Sequence, residues 1–260
     1  MTRETRPFLV LETGRPVPSM RRHGRFPHWI RTAAGLSRGE VHEVDVQAGE
    51  APPSHRGYAG VLVTGSGAMV SDREPWSERT ADWLRDAAHD GAEVFGICYG
   101  HQLVAHALGG EVGDNPRGLE VGTVALDLHP QAADDPLFTG LPERIHAQAT
   151  HQQSVLALPE GATVLAASAL DDCHAFRWGE SVWGVQFHPE FSAGHMRGYV
   201  EARRERLAAA GRDPDRIHGA VRAAPDARRV LRRFVRRARR RGGVHRLGWP
   251  TVAPRRGYTT

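Results

Sequence analysis

The sequence predicts an α/β protein with a doubly wound, mostly parallel sheet flanked by helices, followed by a basic helical extension. Three observations predict it. Between residues 60 and 110, apolar runs of strand length alternate with stretches of helical periodicity, the order strand, helix, strand, helix that builds parallel sheets. The strand-like runs are continuously apolar rather than alternating, as strands covered on both faces are. The chain has 260 residues, 40% hydrophobic and 25% charged, a composition that fits one large folded domain or at most two small ones.

Taken in order, residues 7–12 read as a first buried strand and residues 60–65 as a second, each closed by Gly or an acid. Over residues 75–90, Trp76, Ala81, Trp83, Leu84, Ala87 and Ala88 recur at helical spacing, and Gly91 stops the helix. Residues 93–97 form a third strand, and residues 99–108 a helix that ends in Gly109-Gly110. From Val121 the texture changes to short strand-like pieces, 121–128, 162–168, 174–178 and 182–187, which implies antiparallel or mixed pairing at the sheet edge. Residues 196–210 read as a helix, Asp213-Pro214-Asp215 as punctuation, and residues 225–241 as a second, strongly basic helix. The division expected is an α/β domain over 1–200, an Arg-rich helical extension packed on it over 201–241, and a flexible tail over 242–260.

Charge is unevenly spread. Residues 1–196 hold 15 Arg against 25 acids, and residues 197–260 hold 19 Arg against 5, within an overall +4. None of the 34 basic residues is Lys. No apolar run approaches the ~20 residues that span a bilayer, and residues 8–11 are too short a run for a signal-peptide core. The two cysteines, Cys98 and Cys173, offer no disulfide framework, so a reducing, cytoplasmic setting is expected.

The most informative segment is Gly96-Ile97-Cys98-Tyr99-Gly100-His101-Gln102, where a buried strand gives way at one residue to a helix. Glycines two residues before and two after Cys98 remove side chains that would collide in so tight a turn, the geometry of a nucleophile elbow with Cys in place of Ser. The helix N-terminus favours thiolate over thiol, and the Tyr99 amide points where an oxyanion would form. A small buried Cys at a strand-helix junction is the plain alternative, and the flanking glycines weigh against it. A Cys nucleophile needs a base, and the base an orienting group. His188-Pro189-Glu190, at the end of the apolar run 182–187, supplies both: Pro189 keeps His188 out of helical geometry, and Glu190 falls on the same side two residues on.

These two motifs, at this separation, resemble the signature of the class I, triad-type glutamine amidotransferases, over roughly residues 7–200. Asp72-Arg73-Glu74-Pro75-Trp76 and Leu108-Gly109-Gly110-Glu111-Val112-Gly113 bring the chain nearest to GMP synthase glutaminase domains and γ-glutamyl peptidases. The resemblance implies a flavodoxin-like fold, with Cys98 as nucleophile on the side-chain amide of glutamine, His188 as proton shuttle and Glu190 as its orienting group. It places Ser66, in the loop Thr64-Gly65-Ser66-Gly67, beside Tyr99 as the second backbone donor of an oxyanion hole. Ser there departs from the family's Gly-Gly-Pro loop. It assigns Gly65 and Gln102 to the substrate pocket, and makes residues 149–154, with His151, Gln152 and Gln153, a loop whose backbone reads the substrate's α-amino and carboxylate groups. It implies no cofactor, and a synthetase partner in trans to receive ammonia.

Elsewhere the plain readings prevail. His101 and His106 are five apart and no His-Glu-x-x-His occurs, so no metal site is expected. His146 and His151 read as surface or loop histidines, Trp76, Trp83, Trp178 and Trp183 as packing residues, and Cys173 as inert. In the basic helix, Val230, Leu231, Phe234, Val235 and Ala238 form a stripe able to dock on the domain, with arginines around it. Three functions remain open: a glutaminase; a γ-glutamyl peptidase with the same chemistry; and a catalytically silent binding protein using the Arg-rich helix on nucleic acid or an acidic partner.

Overall fold

The computed structural model describes residues 6–244. A nine-stranded sheet runs through the molecule in the order β2-β1-β3-β4-β11-β10-β9-β6-β7. Its first five strands are parallel: β2 (Val41–Asp45), β1 (Phe8–Glu12), β3 (Gly60–Val63), β4 (Val94–Ile97) and β11 (Val182–Val185). The remaining four, β10 (Ala175–Trp178), β9 (Ala162–Ala167), β6 (Glu120–Leu128) and β7 (Arg144–His151), are antiparallel. The change in texture at Val121 therefore marks a real change in pairing. A separate two-stranded sheet joins β5 (Glu111–Asp114) to β8 (Gln153–Ala157).

Because side chains alternate along a strand, β1 sends Phe8 and Val10 to one face and Leu9 and Leu11 to the other. On the second face lie α2 (Pro75–His89) and α3 (Tyr99–Ala107), through Ala81, Leu84, Leu103 and Val104. On the first lie α1 (Phe26–Ala34) and the basic helix α7 (Pro225–Val244). In α7 the whole stripe Val230, Leu231, Phe234, Val235 and Ala238 is buried, with Phe234 against Phe95 at 5.1 Å and Trp183 at 6.2 Å. Each larger side chain so buried contributes roughly 1.5–3 kcal/mol. The arginines around the stripe turn back to the body: Arg232 donates to Ala33 O, Arg233 to Leu137 O and Thr139 O, and Arg237 and Arg241 pair with Glu93. Trp183 is fully buried, while Trp76, Trp83 and Trp178 are half-buried against the α2–α3 side.

Several expectations need correction. Helix α1 and strands β2, β5, β7 and β8 were not anticipated. The helix expected over 196–210 begins earlier and breaks at Arg203 into α4 (Ala193–Ala202) and α5 (Arg204–Ala209). Asp213-Pro214-Asp215 starts a helix rather than only punctuating: Asp213 accepts from the amides of Asp215 and Arg216, with Pro214 at the first position of α6 (Pro214–Ala220). Helix α7 runs to Val244, past the expected end at 241; the rest of the expected tail lies outside the described residues. Among the described residues no helix is long and apolar enough to cross a membrane.

Candidate active site

Cys98 is the single residue between the end of β4 and the start of α3, and it sits at φ +52°, ψ −103°, a conformation L-residues rarely adopt. Main-chain bonds hold it there. Its amide donates to Val185 O of β11 at 2.9 Å, and the Gly100 amide donates to Thr64 O at 3.1 Å. A Cβ on Gly96 would stand 2.3 Å from Gly100 O, and one on Gly100 would stand 2.6 Å from Val63 O, so both glycines answer to backbone approach. The result presents the Cys98 sulfur to a pocket at the end of the parallel strands, where open α/β sheets place their ligands.

His188 follows β11, its amide donating to Gln148 O at 2.8 Å. Its Nδ1 meets Glu190 Oε1 at 2.7 Å, which leaves Nε2 as the nitrogen free for Cys98, whose Sγ lies 3.9 Å from Thr150 O. Phe191 stacks on the imidazole at 4.1 Å with Phe26 behind, fixing the ring plane. Gly65 admits the ring: a Cβ there would lie 3.0 Å from His188 Cε1 and 3.7 Å from Cys98 Cβ. All three of Cys98, His188 and Glu190 are buried. Burial alone would lower the His188 pKa, but the charges of Glu190 and Cys98 and the hydrogen bonds to both push it up to about 10. Burial alone would raise Cys98, but the His188 charge and hydrogen bond, helped by His151, carry it below the ordinary thiol range. A thiolate–imidazolium pair at neutral pH is what this arrangement favours.

Ser66 and Tyr99 both line the pocket beside Cys98. The amide of Tyr99 opens α3 and that of Ser66 lies in the loop after β3, and among the described residues neither donates to a protein acceptor. The loop is pinned from beneath, where Thr13 Oγ1 reaches Thr64 O at 2.9 Å and Gly65 O at 3.2 Å. The Tyr99 ring packs inward, its hydroxyl on Ser77 Oγ at 2.6 Å.

Residues 149–154 are not a loop. They are the end of β7 and the start of β8, with Gln152 the one residue between, because β7 completes the large sheet while β8 belongs to the small one. His151 is accordingly no surface histidine but a buried one. Its Nδ1 faces Gln153 O at 3.0 Å and its Nε2 faces Glu120 Oε2 at 2.9 Å. Both partners are acceptors, so both nitrogens must carry protons. The ring's pKa is raised accordingly: burial opposes the charge, but the Glu120 hydrogen bond and the Glu120 and Asp171 charges outweigh it. His174 Nε2 reaches the same Glu120 oxygen at 2.6 Å. Glu120, His151 and His174 are side chains of metal-ligating type brought together in the interior. Their contacts are hydrogen-bond lengths, and His151 has an acceptor on each nitrogen, so the trio reads as a proton-bonded network. Half-buried His146 lies on β7.

Gln102 lines the pocket with both its N–H groups engaged, on Gln153 O at 2.7 Å and Gln186 Oε1 at 2.9 Å, so it clamps the β7–β8 connection to α3. The Gln153 side chain is held by Ser71 at 2.6 Å, and Gln152 lies near Asp114. Of the residues singled out from sequence, Ser66, Cys98, Tyr99, Gln102 and 151–153 line one pocket, while Gly65 packs between His188 and Cys98 and Glu190 holds His188 from the other side. Sequence reasoning missed Glu120, His174, Gln186 and Arg203. The first three come within reach only through sheet pairing and have no local signal; Arg203 lies at the helix break that periodicity did not show.

Comparison with known proteins identifies the family. Residues 29–203 match the glutamine amidotransferase class-I family. The chain is 38% identical over 136 residues to a GMP synthase [glutamine-hydrolyzing] of Thermomicrobium roseum, covering 52% of this chain and 24% of that one. It is 30% identical over 137 residues to gamma-glutamyl peptidase 5 of Arabidopsis thaliana, covering 52% of this chain and 55% of that one. The matched region thus spans about a quarter of the synthase and about half of the peptidase. In fold it is similar to a glutamine amidotransferase of Thermotoga maritima, at TM-score 0.70 and 22% identity over 90% of this chain and 98% of that chain. With the match covering most of its length, the chain belongs to the class-I glutamine amidotransferase family.

Proposed function

We propose that this protein hydrolyses a γ-glutamyl amide, glutamine first among them, through a Cys98–His188–Glu190 triad. The observation that carries the reading is Cys98 at a strained strand-helix junction, beside a histidine that shares the space at Gly65 with it and whose Nδ1 is held by Glu190 at 2.7 Å. The Cys98 thiolate attacks the γ-carbonyl carbon, and the oxyanion is received by the Tyr99 and Ser66 amides. His188 gives its Nε2 proton to the departing nitrogen, so ammonia leaves and a γ-glutamyl thioester remains. Neutral His188 then takes a proton from water, the hydroxide attacks the thioester, and glutamate departs as the thiolate re-forms. Glu190 keeps the proton on Nδ1 throughout, so Nε2 always faces the chemistry.

In this reading the protein works in the cytoplasm and delivers ammonia to a synthetase. A second reading, cleavage of γ-glutamyl peptides by the same steps, draws support from the similarity to the Arabidopsis peptidase. A role for α7 on nucleic acid draws less, since its stripe is buried and several of its arginines are bound to the body. The deciding experiment is glutamate and ammonia release from glutamine and from γ-glutamyl dipeptides, wild type beside Cys98→Ala. Cys98-dependent turnover is expected, with glutamine preferred; preference for dipeptides selects the second reading, and no turnover of either, alone or with an added synthetase, overturns both.

A further inference from the structure

The pocket that receives the Cys98 sulfur has a wall that the chemistry above does not use. Arg203 and Arg206 supply it, and line the pocket together with Ser66, Tyr99 and Gln152. Arg203 is the residue at which the chain leaves α4 and enters α5, and the break turns it out of either helical repeat. Its side chain is half-buried, yet among the described residues it makes no ion pair and no hydrogen bond; its guanidinium lies only near the Tyr199 ring, 5.9 Å from the centroid. Arg206, exposed beside it, is likewise without an acid partner among the described residues. No carboxylate lines the pocket, while His151, with an acceptor on each ring nitrogen, is among its lining residues.

A guanidinium cannot shed its proton to escape partial burial, and its planar fork of donors matches a carboxylate. Elsewhere in this molecule half-buried arginines have found acceptors: Arg233 takes Leu137 O and Thr139 O, and Arg237 takes Glu93. Arg203 alone of these faces the nucleophile. Burial works against its charge, and the Cys98 thiolate is the first influence that supports it.

We propose that Arg203, backed by Arg206, anchors a carboxylate of the substrate and thereby selects among γ-glutamyl compounds. The inference rests on the amide-hydrolase reading for its substrates but not for its central claim, that this wall binds carboxylates next to Cys98. The carboxylate has two sources: the α-carboxylate of the γ-glutamyl group, or one carried by the leaving amine.

The first test needs no turnover. Full-length protein is alkylated at Cys98 with iodoacetate, which carries a carboxylate, and with neutral iodoacetamide, and the site is confirmed by peptide mapping. Arg203→Met and Arg203→Gln should lower the iodoacetate-to-iodoacetamide rate ratio about tenfold, with the iodoacetamide rate held and Cys173 still unlabelled as the mark of an intact fold; Arg203→Lys should fall between. A ratio within twofold of wild type in both neutral variants overturns the anchor. The second test locates the carboxylate by KM, since losing a charge-assisted bond corresponds to roughly a 10- to 100-fold change. An α-carboxylate anchor raises KM for glutamine and spares glutaminamide, in which that carboxylate is an amide. A leaving-group anchor raises KM for γ-glutamylglycine and spares γ-glutamylmethylamide. Equal losses on all four compounds overturn the anchor. If the alkylation ratio falls but no compound is turned over, the anchor stands and the functional reading fails.

Discussion

The two cysteines of this chain are both buried, and their surroundings push them in opposite directions. Cys173 lies among the apolar residues beneath α2 and α3; burial raises its pKa far above the thiol range, and neighbouring Asp171 and Asp172 raise it further. Cys98 is desolvated too, but His188 and His151 face it with positive charge and bring it below that range. Reactivity here is decided not by exposure but by the sign of the charges that the fold aims at the sulfur.

The largest test of that contrast is deletion. Cys98→Ala should lower turnover by about 10⁴-fold or more, whereas Cys173→Ala should leave it within about twofold; comparable losses in ammonia-release assays would erase the distinction. Next comes the space around the base. Gly65→Ala puts a methyl 3.0 Å from His188 Cε1, and displacing that ring should cost about 10²-fold in kcat/KM, while Gly39→Ala, with open space around it, should cost nothing measurable.

Glu190→Gln sharpens the electrostatic side. The carboxylate stabilises the His188 imidazolium, so its loss must let the proton go at lower pH. The descending limb of the pH–rate profile, set by a group near 10 in the wild type, should move down toward the ordinary 6.5 of histidine, with a drop of about 10- to 100-fold at the optimum. A limb that stays in place would show that Glu190 does not govern His188. The smallest effect is one of reactivity alone. At about pH 7 iodoacetamide should label Cys98 and not Cys173 until the protein is denatured, and His188→Ala should shift the onset of Cys98 labelling to higher pH, read by mass spectrometry.

How much of this was legible depended on how local the cause was. The Cys98 elbow could be read because its constraint lies within a few residues: Gly96 and Gly100 are there to avoid Gly100 O and Val63 O. His188 and Glu190 could be read because they stand two residues apart, although it is a turn at Pro189-Glu190, closed by the Phe191 amide on His188 O at 3.3 Å, and not an extended segment that brings the carboxylate to the ring. Helix α1 was missed although Phe26, Trp29, Ile30, Ala33 and Ala34 show the needed spacing and are all buried. Strand β2 is an edge strand of five residues with only Val44 buried, too weak a pattern to register.

The sequence by itself determined the parallel sheet, the strand-helix junction that holds Cys98 and the histidine-glutamate pair that follows β11, because each is written in the spacing of neighbouring residues. Only the tertiary structure decided that 149–154 would be two strand ends rather than a loop. Only it brought Glu120, His151 and His174 into one hydrogen-bonded set and turned Arg203 toward the nucleophile. Those contacts join residues far apart in the chain through sheet register and a helix break, and no local periodicity records which strand will lie beside which.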